Sequence, residues 1–293
     1  MLKKILLILL FVFWALPALA ETIWDTAWVR RYSGSADRED VPSAIAVDSL
    51  GNIYVTGYSR HHNCTPYDAD WVTMKYDPNG TELWVSTYNG PADDDDHAWD
   101  LALDDLGNVY VTGSSFGLGT SYDYATIKYD SSGTKIWESR YNGPDDHWDM
   151  PCAVAVDDSG NVYVTGSSVG SGGYITGYDY ATVKYDGNGN ELWVQRYNGP
   201  KDLLDAPYGL ALDATGGVCV TGISFDSAAA GLLYKSAYAT LKYDTSGNRI
   251  WIRRYNGPTN TLDGASGIAT DGLGNVYVTG FSDGTGTWLD YAP

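Results

Sequence analysis

The sequence predicts an all-β fold built from one repeated unit, and three observations support this prediction. The phrase Asn-Val-Tyr-Val-Thr-Gly at 108–113 recurs in closely similar form at 52–57, 161–166, 217–222 and 275–280. Tryptophans keep one register, with spacings of 56, 53, 56 and 58 residues, at Trp28, Trp84, Trp137, Trp193 and Trp251. No part of the unit has helical periodicity. Self-similarity with a period of about 55 residues indicates a repeat architecture.

Each unit contains four short segments in which apolar and polar residues alternate, as expected for strands. In the second unit these segments are 101–104, 108–114, 123–129 and 135–141. Asp-x-x-Gly separates the first segment from the second and the third from the fourth, and this pattern favours tight hairpin turns. Four antiparallel strands in each repeat are typical of a β-propeller blade. We therefore expect about five blades in 21–293, with approximate limits 33–88, 89–141, 142–197, 198–255 and 256–293, the last incomplete.

Two longer phrases carry a family resemblance. Ala-Val-Asp-Asp-Ser-Gly-Asn-Val-Tyr-Val-Thr-Gly at 155–166 and Asp-Tyr-Ala-Thr-Val-Lys-Tyr-Asp-Gly-Asn-Gly at 179–189 resemble the bacterial β-propeller repeat known as the SBBP repeat. The resemblance extends over nearly all of 21–293. It implies a propeller and an exported or surface-associated protein, and it transfers no catalytic residue.

The two ends of the repeat array suggest how a ring could close. Residues 28–32, Trp-Val-Arg-Arg-Tyr, read as a fourth strand with no blade before it, and 290–293 read as the start of a third strand. An N-terminal strand that completed the last blade would close a five-bladed ring and remove its open edges. The last third strand, however, lacks the Thr-Val-Lys-Tyr-Asp portion of its siblings and is interrupted by Pro293. The sequence therefore leaves two alternatives, a closed five-bladed ring and a part of a longer propeller.

The first twenty residues have the layout of a secretory signal peptide. Lys3 and Lys4 precede an apolar run from 5 to 14, and Ala18-Leu19-Ala20 follows as a cleavage site. A membrane anchor is disfavoured because the apolar run is short for a bilayer span. We expect cleavage after Ala20, no membrane insertion, and a mature chain that is secreted, periplasmic or at the cell surface.

Composition narrows the class of partner. The chain has 37 Asp and Glu against 18 Lys and Arg, a formal charge of −19, which disfavours binding to nucleic acid or anionic membranes. The three cysteines, Cys64, Cys152 and Cys219, are too few and odd in number for a disulfide framework. We expect Cys152 and Cys219 to be buried thiols on strands.

One face of the repeat array is expected to carry the ligand site. Because consecutive strands alternate in direction, the loops that enter the first strands lie beside the loops that join second to third strands. The Asp-x-x-Gly turns lie on the opposite face. Turn sequences hardly vary between repeats, whereas the second-to-third loops at 59–69, 168–178 and 224–236 do. Variable loops on a rigid scaffold commonly carry function.

Acidic and aromatic residues break the repeat symmetry in two adjacent entry loops. The candidate ligand-binding residues are Asp96, His97, Trp99, Asp145, His147, Trp148 and Asp149. They suggest a carboxylate-rich pocket, walled by the two tryptophans, for a sugar or a cation. The alternative is a solvated run of charge.

A second acidic pattern recurs in every repeat. An aspartate stands eight residues before the one that closes each first strand, at Asp40, Asp96, Asp149, Asp205 and Asp263. Hard cations prefer carboxylate oxygens, so these positions are candidates for a calcium site. The alternative is that each carboxylate accepts backbone N–H groups and joins one blade to the next.

Taken together, the patterns favour an exported, non-catalytic propeller that serves as a binding or scaffold module in protein or cell-surface contacts. A carbohydrate-binding, lectin-like propeller is the alternative, because of the tryptophans in the acidic loops. A glycoside hydrolase is disfavoured: it needs a pair of carboxyl groups that flank the substrate, and Glu39 is the one glutamate of the mature chain expected within the candidate face.

Overall fold

The structure is a computed structural model that describes residues 27–34, 38–61, 68–170, 177–229, 232–284 and 289–292. Two compact units are distinguished, Met1–Arg31 and Tyr32–Pro293. Residues 27–34 lie outside any strand, so the fourth strand predicted at 28–32 is not formed. The predicted signal peptide lies outside the described residues. No helix with the length and hydrophobicity of a membrane span occurs within the described ranges.

The second unit is all-β, and its strands pair in sequence order into five antiparallel sheets. Sheet one contains β1 (Asp40–Val47), β2 (Ile53–Arg60), β3 (Ala69–Tyr76) and β4 (Glu82–Tyr88). Sheet two contains β5 (Asp96–Leu103), β6 (Val109–Phe116), β7 (Tyr122–Tyr129) and β8 (Lys135–Tyr141). Sheet three contains β9 (Asp149–Val156), β10 (Val162–Val169), β11 (Tyr178–Tyr185) and β12 (Glu191–Tyr197). Sheet four contains β13 (Asp205–Leu212), β14 (Val218–Ala229), β15 (Leu232–Tyr243) and β16 (Arg249–Tyr255). Sheet five has three described strands, β17 (Asp263–Thr270), β18 (Val276–Asp283) and β19 (Leu289–Ala292).

The four-stranded antiparallel unit predicted from the sequence is thus confirmed, but its first strand was predicted too short. In the second repeat, the first strand, β5, begins at Asp96 rather than at 101. A register shift between Ala98 and Asp100 marks a β-bulge, which interrupts strict alternation. The same shift occurs in β1, β13 and β17.

The Asp-x-x-Gly turns form as the sequence predicts. In the turn between β5 and β6, one oxygen of Asp104 accepts the backbone N–H groups of Leu106 and Asn108 at 3.0 and 2.8 Å. Gly107 has a φ of 78°, a left-handed conformation that side chains rarely adopt. Local side-chain acceptors and glycine therefore determine these hairpins.

The glycine of the Val-Thr-Gly phrase is required by close packing against the bulge. At Gly166, an added Cβ would collide with the carbonyl oxygen of Met150 on β9. The glycines at 57, 113, 222 and 280 have the equivalent contact. This explains why glycine recurs in the middle of a strand, where it is otherwise disfavoured.

Consecutive sheets share apolar cores. The first core combines Tyr54 and Trp71 of sheet one with Leu101, Val111 and Ile127 of sheet two. Two further cores join sheet two to sheet three and sheet three to sheet four in the same way. The aromatic residues thus fill the space between sheets, as the repeat pattern predicts.

The tryptophan register is explained by a hydrogen bond that crosses to the next sheet. Trp84 Nε1 donates to the carbonyl oxygen of Ser131, in the turn between β7 and β8, at 3.2 Å. Trp137 and Trp193 donate in the same way to Gly187 and Thr245, at 3.0 and 3.2 Å. The fourth strands β4, β8 and β12 are therefore each attached to the turn of the sheet that follows.

Sheet four departs from the pattern at Cys219, which is fully buried where three sibling repeats bury a tyrosine. Those tyrosines donate a hydrogen bond to the turn aspartate, as Tyr54 does to Asp48. In sheet four, Lys242 Nζ instead forms an ion pair with Asp213 at 2.5 Å. Burial alone would raise the pKa of Asp213, but hydrogen bonds from Lys242 and from neighbours in its own turn lower it to about 2.

Both cysteines in the described ranges are free thiols on strands, as predicted. Cys219 is buried, whereas Cys152 is partly exposed. Its Sγ lies 3.2 Å from the carbonyl oxygen of Pro207, and burial raises its pKa to about 12. Such a thiol is unreactive at neutral pH. Cys64 lies outside the described residues.

The outer faces of the first and last sheets are not packed like the interior ones. Ile45 and Val47 of β1 are 69% and 60% exposed, whereas the equivalent Leu101 of β5 is 7% exposed. Tyr277 of β18 is 57% exposed, whereas its sibling Tyr54 is fully buried. Within the described residues, the apolar packing that joins consecutive sheets is not seen between sheet five and sheet one.

Candidate functional site

The loops that enter the first strands and the ends of the second strands lie together, as expected. Phe116 N–H donates to the carbonyl oxygen of Asp95 at 3.3 Å, and Val169 N–H donates to that of Trp148 at 3.2 Å. Sheet four has the same bond from Phe225 to Leu204 at 3.1 Å. We call this surface the loop face.

Five ring side chains from sheets one to three meet on the loop face, and we call them the His97 cluster: Tyr58, His97, Trp99, Tyr122 and Trp148. The His97 ring lies 4.3 Å from Tyr58, 5.8 Å from Trp99 and 6.5 Å from Tyr122, centroid to centroid. Tyr122 contacts Trp148 edge-on at 6.1 Å. The two tryptophans remain 40% and 42% exposed. The structure therefore brings together three of the predicted residues, His97, Trp99 and Trp148.

Asp95 is the buried carboxylate beneath this cluster. It is 4% exposed, accepts the backbone N–H of Ala69 from sheet one at 3.2 Å, and accepts the Tyr122 hydroxyl at 3.4 Å. His97 Nε2 lies 4.0 Å from Asp95 Oδ1, the oxygen that accepts the Ala69 N–H. Sequence reasoning singled out the neighbouring Asp96, because Asp96 has the regular repeat position and Asp95 does not.

His97 is held in its neutral form. Burial lowers its pKa, the Arg60 guanidinium acts in the same direction, and Asp95 opposes both. Burial also raises the pKa of Tyr122, which therefore stays a hydroxyl donor. At neutral pH the cluster presents uncharged rings around a buried carboxylate, a surface suited to apolar or sugar-ring contacts.

The predicted ligand residues outside the His97 cluster are Asp96, Asp145, His147 and Asp149, and they lie in different surroundings. Several predicted residues belong to strands rather than to the entry loops: Asp96, His97 and Trp99 to β5, and Asp149 to β9. Asp145 is exposed and His147 is half-buried in the loop before β9. Asp96 and Asp149 are almost fully buried and accept the backbone N–H groups of glycines, so their carboxylates do not form the wall of an open pocket.

All five aspartates proposed for calcium make one recurring contact. Each accepts the N–H of the glycine six residues earlier, in the Asn-Gly-Pro segment or its equivalent, at distances of 3.1, 2.5, 2.6, 2.5 and 2.8 Å for Asp40, Asp96, Asp149, Asp205 and Asp263. This is the geometry of the structural alternative, because the segment connects the preceding sheet to the strand that the aspartate begins. Among the residues described, no three His, Cys, Asp or Glu side chains are grouped to hold a metal ion.

Burial shifts the titration of three of these carboxyls. It raises the pKa of Asp96, Asp149 and Asp205 to about 6, although hydrogen bonds from a serine and a glycine oppose the shift. A third-strand aspartate of the preceding sheet adds to the shift in each case, as Asp123 does for Asp149. These carboxyls are therefore buried hydrogen-bond acceptors whose pKa is raised, rather than exposed ligands.

An arginine of the fourth strand completes this network in three sheets. Arg196 donates to the Tyr141 hydroxyl at 3.0 Å, the Ser168 carbonyl oxygen at 3.0 Å and the Asp179 carboxylate at 2.9 Å. Arg140 makes the equivalent contacts in sheet two. In sheet four, Arg254 contacts Tyr197 and Ser224 in the same way, but its carboxylate partner is Asp226 of β14, because the third-strand position holds Ala237. The planar guanidinium thereby connects two consecutive sheets.

Sequence reasoning missed one set of positions on the inner strands. The bulge places one extra residue in each first strand, at Ser43, Trp99, Cys152, Tyr208 and Ser266. Trp99 and Tyr208 are both large and substantially exposed there. Trp99 and Tyr208 occupy the same position of the repeat, which the sequence alone could have shown. The first strand was predicted too short to include that position, so the two residues were not compared.

The opposite face contains two clefts between sheets. One of about 450 Å³ lies between sheets one and two and is lined in part by Tyr54, Lys75 and Asp104. A second of about 410 Å³ lies between sheets two and three. Their lining recurs from sheet to sheet, with Lys75 and Lys128 each 5.0 Å from a tyrosine ring, so we attribute them to sheet packing.

These features define a class of protein: an all-β repeat protein whose antiparallel sheets are propeller-like blades. Residues 27–63 and 250–286 match the family model described as SBBP, Beta-propeller repeat. Both matches are consistent with an SBBP-type beta-propeller repeat protein. No curated protein matches the sequence of this chain.

The solved structures that match this chain share little of its sequence. A protein of unknown function from Bacteroides caccae is 12% identical with a TM-score of 0.49, over 83% of this chain and 72% of that one. An endo-arabinase from Bacteroides thetaiotaomicron is 14% identical with a TM-score of 0.44, over 86% and 92%. A luciferin-regenerating enzyme is 15% identical with a TM-score of 0.43, over 82% and 69%.

Proposed function

We propose that this protein is an exported, non-catalytic binding module that contacts proteins or cell surfaces through its loop face. The observation that carries the proposal is the His97 cluster. Its exposed tryptophans lie over a buried, hydrogen-bonded carboxylate at the junction of three sheets. The opposite face carries the Asp-x-x-Gly turns, and we call it the turn face. It repeats nearly the same residues from sheet to sheet.

The chemistry of the cluster supports a role in recognition. Aromatic side chains held by neighbours lose little conformational entropy on binding, and they dominate the energetics of many interfaces. Trp99 is held by a hydrogen bond from Nε1 to Ser114 Oγ at 3.1 Å, and Trp148 by its edge contact with Tyr122. The two exposed rings are therefore already positioned before a partner arrives.

A carbohydrate ligand is the second candidate. Partly exposed tryptophans beside acidic residues are suited to the apolar face and the hydroxyl groups of a sugar ring. The unburied acidic residues of the same two loops are Asp93, Asp94, Asp145 and Asp146. Under this alternative the ligand is a cell-surface glycan rather than a protein.

Glycoside hydrolysis is disfavoured by the contacts of the carboxylates. Asp95 accepts hydrogen bonds from Ala69 and Tyr122, and Glu39 forms an ion pair with Arg60 at 3.3 Å. A glycosidase needs one carboxyl free to protonate the leaving group and another free to attack or activate water. Absence of turnover on aryl glycosides and polysaccharides is the expected result.

The finer architecture and the cellular location are also proposals. We infer that the five sheets are blades of one propeller, in which Tyr32 takes the place that a fourth-strand tyrosine has in the other blades. Tyr32 supports this, because its phenol interacts with Ser59 as the fourth-strand Tyr88 interacts with Ser115. For location, the secreted form is expected to begin at Glu21, which mass spectrometry of the exported chain would establish.

The test of the proposed function is binding by the fluorescently labelled chain to intact bacterial cells and to a glycan array. Trp148→Ala is expected to weaken binding at least about tenfold, the effect of losing about 1.4 kcal/mol at an aromatic anchor. Leu106→Ala is the matched control, because Leu106 is an exposed apolar residue of the turn face. Equal loss in both variants, or none in either, would contradict a site at the His97 cluster. Array binding that depends on Trp148 would favour the glycan alternative.

A further inference from the structure

The two loops beside the His97 cluster differ in charge from the equivalent loops of later sheets. Residues 89–95 and 142–148 contain three and two aspartates, respectively, and no lysine or arginine. The equivalent residues 198–204 combine Lys201 with an aspartate, and 256–262 contain no charged side chain. The excess of negative charge therefore occurs in the loops that adjoin the exposed tryptophans of the cluster and is not a general feature of the entry loops.

The negative charge of these loops acts on the rings of the cluster. Burial raises the pKa of Tyr122, and the carboxylates of Asp95, Asp94 and Asp96 raise it further. Tyr122 is also the ring that the exposed Trp148 contacts. A cation placed against these rings is therefore attracted by the same carboxylates that disfavour a phenolate.

Two of the exposed carboxylates are held in position by side chains of their own loops. The Asn89 side-chain amide donates to Asp93 Oδ1 at 2.6 Å, and that of Asn142 donates to Asp146 Oδ1 at 2.7 Å. These charges are thus already ordered, which lowers the entropic cost of pairing with a partner.

The chain already places one guanidinium on a ring of the cluster. Arg60 Cζ lies 5.7 Å from the centroid of the Tyr58 ring, and Arg60 Nε lies 3.3 Å from a carboxylate oxygen of Glu39. Tyr58 is the ring that contacts His97 at 4.3 Å. A planar cation between an aromatic face and a carboxylate is the arrangement that favours arginine over other side chains.

We propose that the partner of the loop face is a second protein with an exposed, arginine-rich segment. Its guanidinium groups stack on Trp99 and Trp148 and pair with the aspartates of 93–94 and 145–146. This inference rests on the proposed function, because it names the chemistry of the partner that the His97 cluster binds. Tryptophan is the best aromatic partner for a cation. An uncharged sugar would use the same rings without any need for the excess of negative charge.

The test uses a fluorescein-labelled peptide in which arginine alternates with serine, and binding is measured by fluorescence anisotropy. Matched peptides carry lysine, or citrulline, the uncharged isostere of arginine. The double variant Asp94→Asn/Asp145→Asn removes charge beside the cluster and keeps side-chain shape. Asp105→Asn/Asp158→Asn removes the same charge from exposed aspartates of the turn face and is the matched control. Trp99→Leu keeps an apolar side chain but removes the ring.

The arginine peptide is expected to bind most tightly, the lysine peptide at least about threefold more weakly, and the citrulline peptide not at all. Asp94→Asn/Asp145→Asn should weaken binding of the arginine peptide at least about fivefold, and the turn-face control by less than about twofold. Trp99→Leu should weaken it at least about fivefold. Binding should also weaken as salt is raised from about 50 mM to about 300 mM.

Three outcomes would overturn the inference. The first is no binding of the arginine peptide, or equal binding of the citrulline peptide. The second is equal weakening in the two double variants, which would indicate general attraction to an acidic protein rather than a site. The third is binding to cells or glycans that depends on Trp148 but is unchanged in Asp94→Asn/Asp145→Asn. That third result would leave the proposed function standing and would remove only the arginine-bearing partner.

Discussion

Replacement of Asp149 by asparagine tests the assignment of the recurring aspartates to sheet stabilisation. Asp149 begins β9, is 1% exposed, and accepts the Gly143 N–H at 2.6 Å. Burial raises its pKa to about 6, with opposing hydrogen bonds from Ser168 and Gly143. Asparagine preserves the shape and one acceptor oxygen but cannot titrate.

The magnitude follows from proton linkage. The folded-state pKa of about 6 lies above the ordinary value of 3.8, so the folded chain binds this proton more tightly than the unfolded chain. The contribution to stability is therefore fully present below the ordinary pKa and is lost as pH rises through about 6. A shift of this size corresponds to an upper limit of about 3 kcal/mol. Acidification from about pH 7.5 to about pH 4.5 should thus stabilise the unmodified chain by about 2 kcal/mol more than Asp149→Asn.

The assay is urea unfolding followed by tryptophan fluorescence at the two pH values. Asp145→Asn serves as control, because Asp145 is an exposed aspartate four residues away. Its pH profile is expected to parallel that of the unmodified chain, because this variant leaves Asp149 and its contact with Gly143 in place. A parallel profile for Asp149→Asn as well would refute the reasoning. If calcium stabilised the unmodified chain but not Asp149→Asn, the result would instead support a calcium site at this position.

Three further predictions concern the packing between strands and sheets. Gly166→Ala should cost about 2–4 kcal/mol in urea unfolding, because the added Cβ collides with backbone, whereas Gly272→Ala, in open space, should change stability by less than about 0.5 kcal/mol. Lys242→Met should cost about 1–2 kcal/mol near neutral pH by removing the partner of Asp213, and this difference should shrink as pH falls through the folded-state pKa of about 2, because protonation of the carboxyl removes the ion pair. Arg196→Lys should lower the thermal midpoint, with a cost of about 1–2 kcal/mol, because an ammonium cannot replace the planar guanidinium; an unchanged midpoint would mean that the network contributes nothing.

The sequence predicted the parts of the fold that depend on near neighbours in the chain. The hairpin at Asp104 and Gly107 is one example, because its acceptor, its donors and its left-handed residue lie within five positions. The buried Cys219 was also anticipated, from its place in the Val-Tyr-Val-Thr phrase. Repetition strengthened each such prediction, because one misread turn would have been inconsistent with its siblings.

The candidate site was predicted only in part. His97, Trp99 and Trp148 were singled out because they break the repeat, and they do lie in one cluster. Asp95 was missed, because its role depends on the Ala69 N–H of another sheet. Tyr208 was missed for a different reason: the β-bulge interrupts the alternation from which strand length was predicted.

By itself the sequence determined the unit of structure, four antiparallel strands closed by Asp-x-x-Gly turns, because hydrogen bonding in a hairpin involves residues close in the chain. Tertiary structure decided which units meet and through which atoms. Trp84 reaches the carbonyl oxygen of Ser131, and Arg196 reaches the Tyr141 hydroxyl. These pairs are about one repeat apart, and their contact depends on how one twisted sheet stacks on the next, which no local pattern specifies. The same stacking covers Leu101 and leaves Ile45 exposed, although the two occupy one position of the repeat.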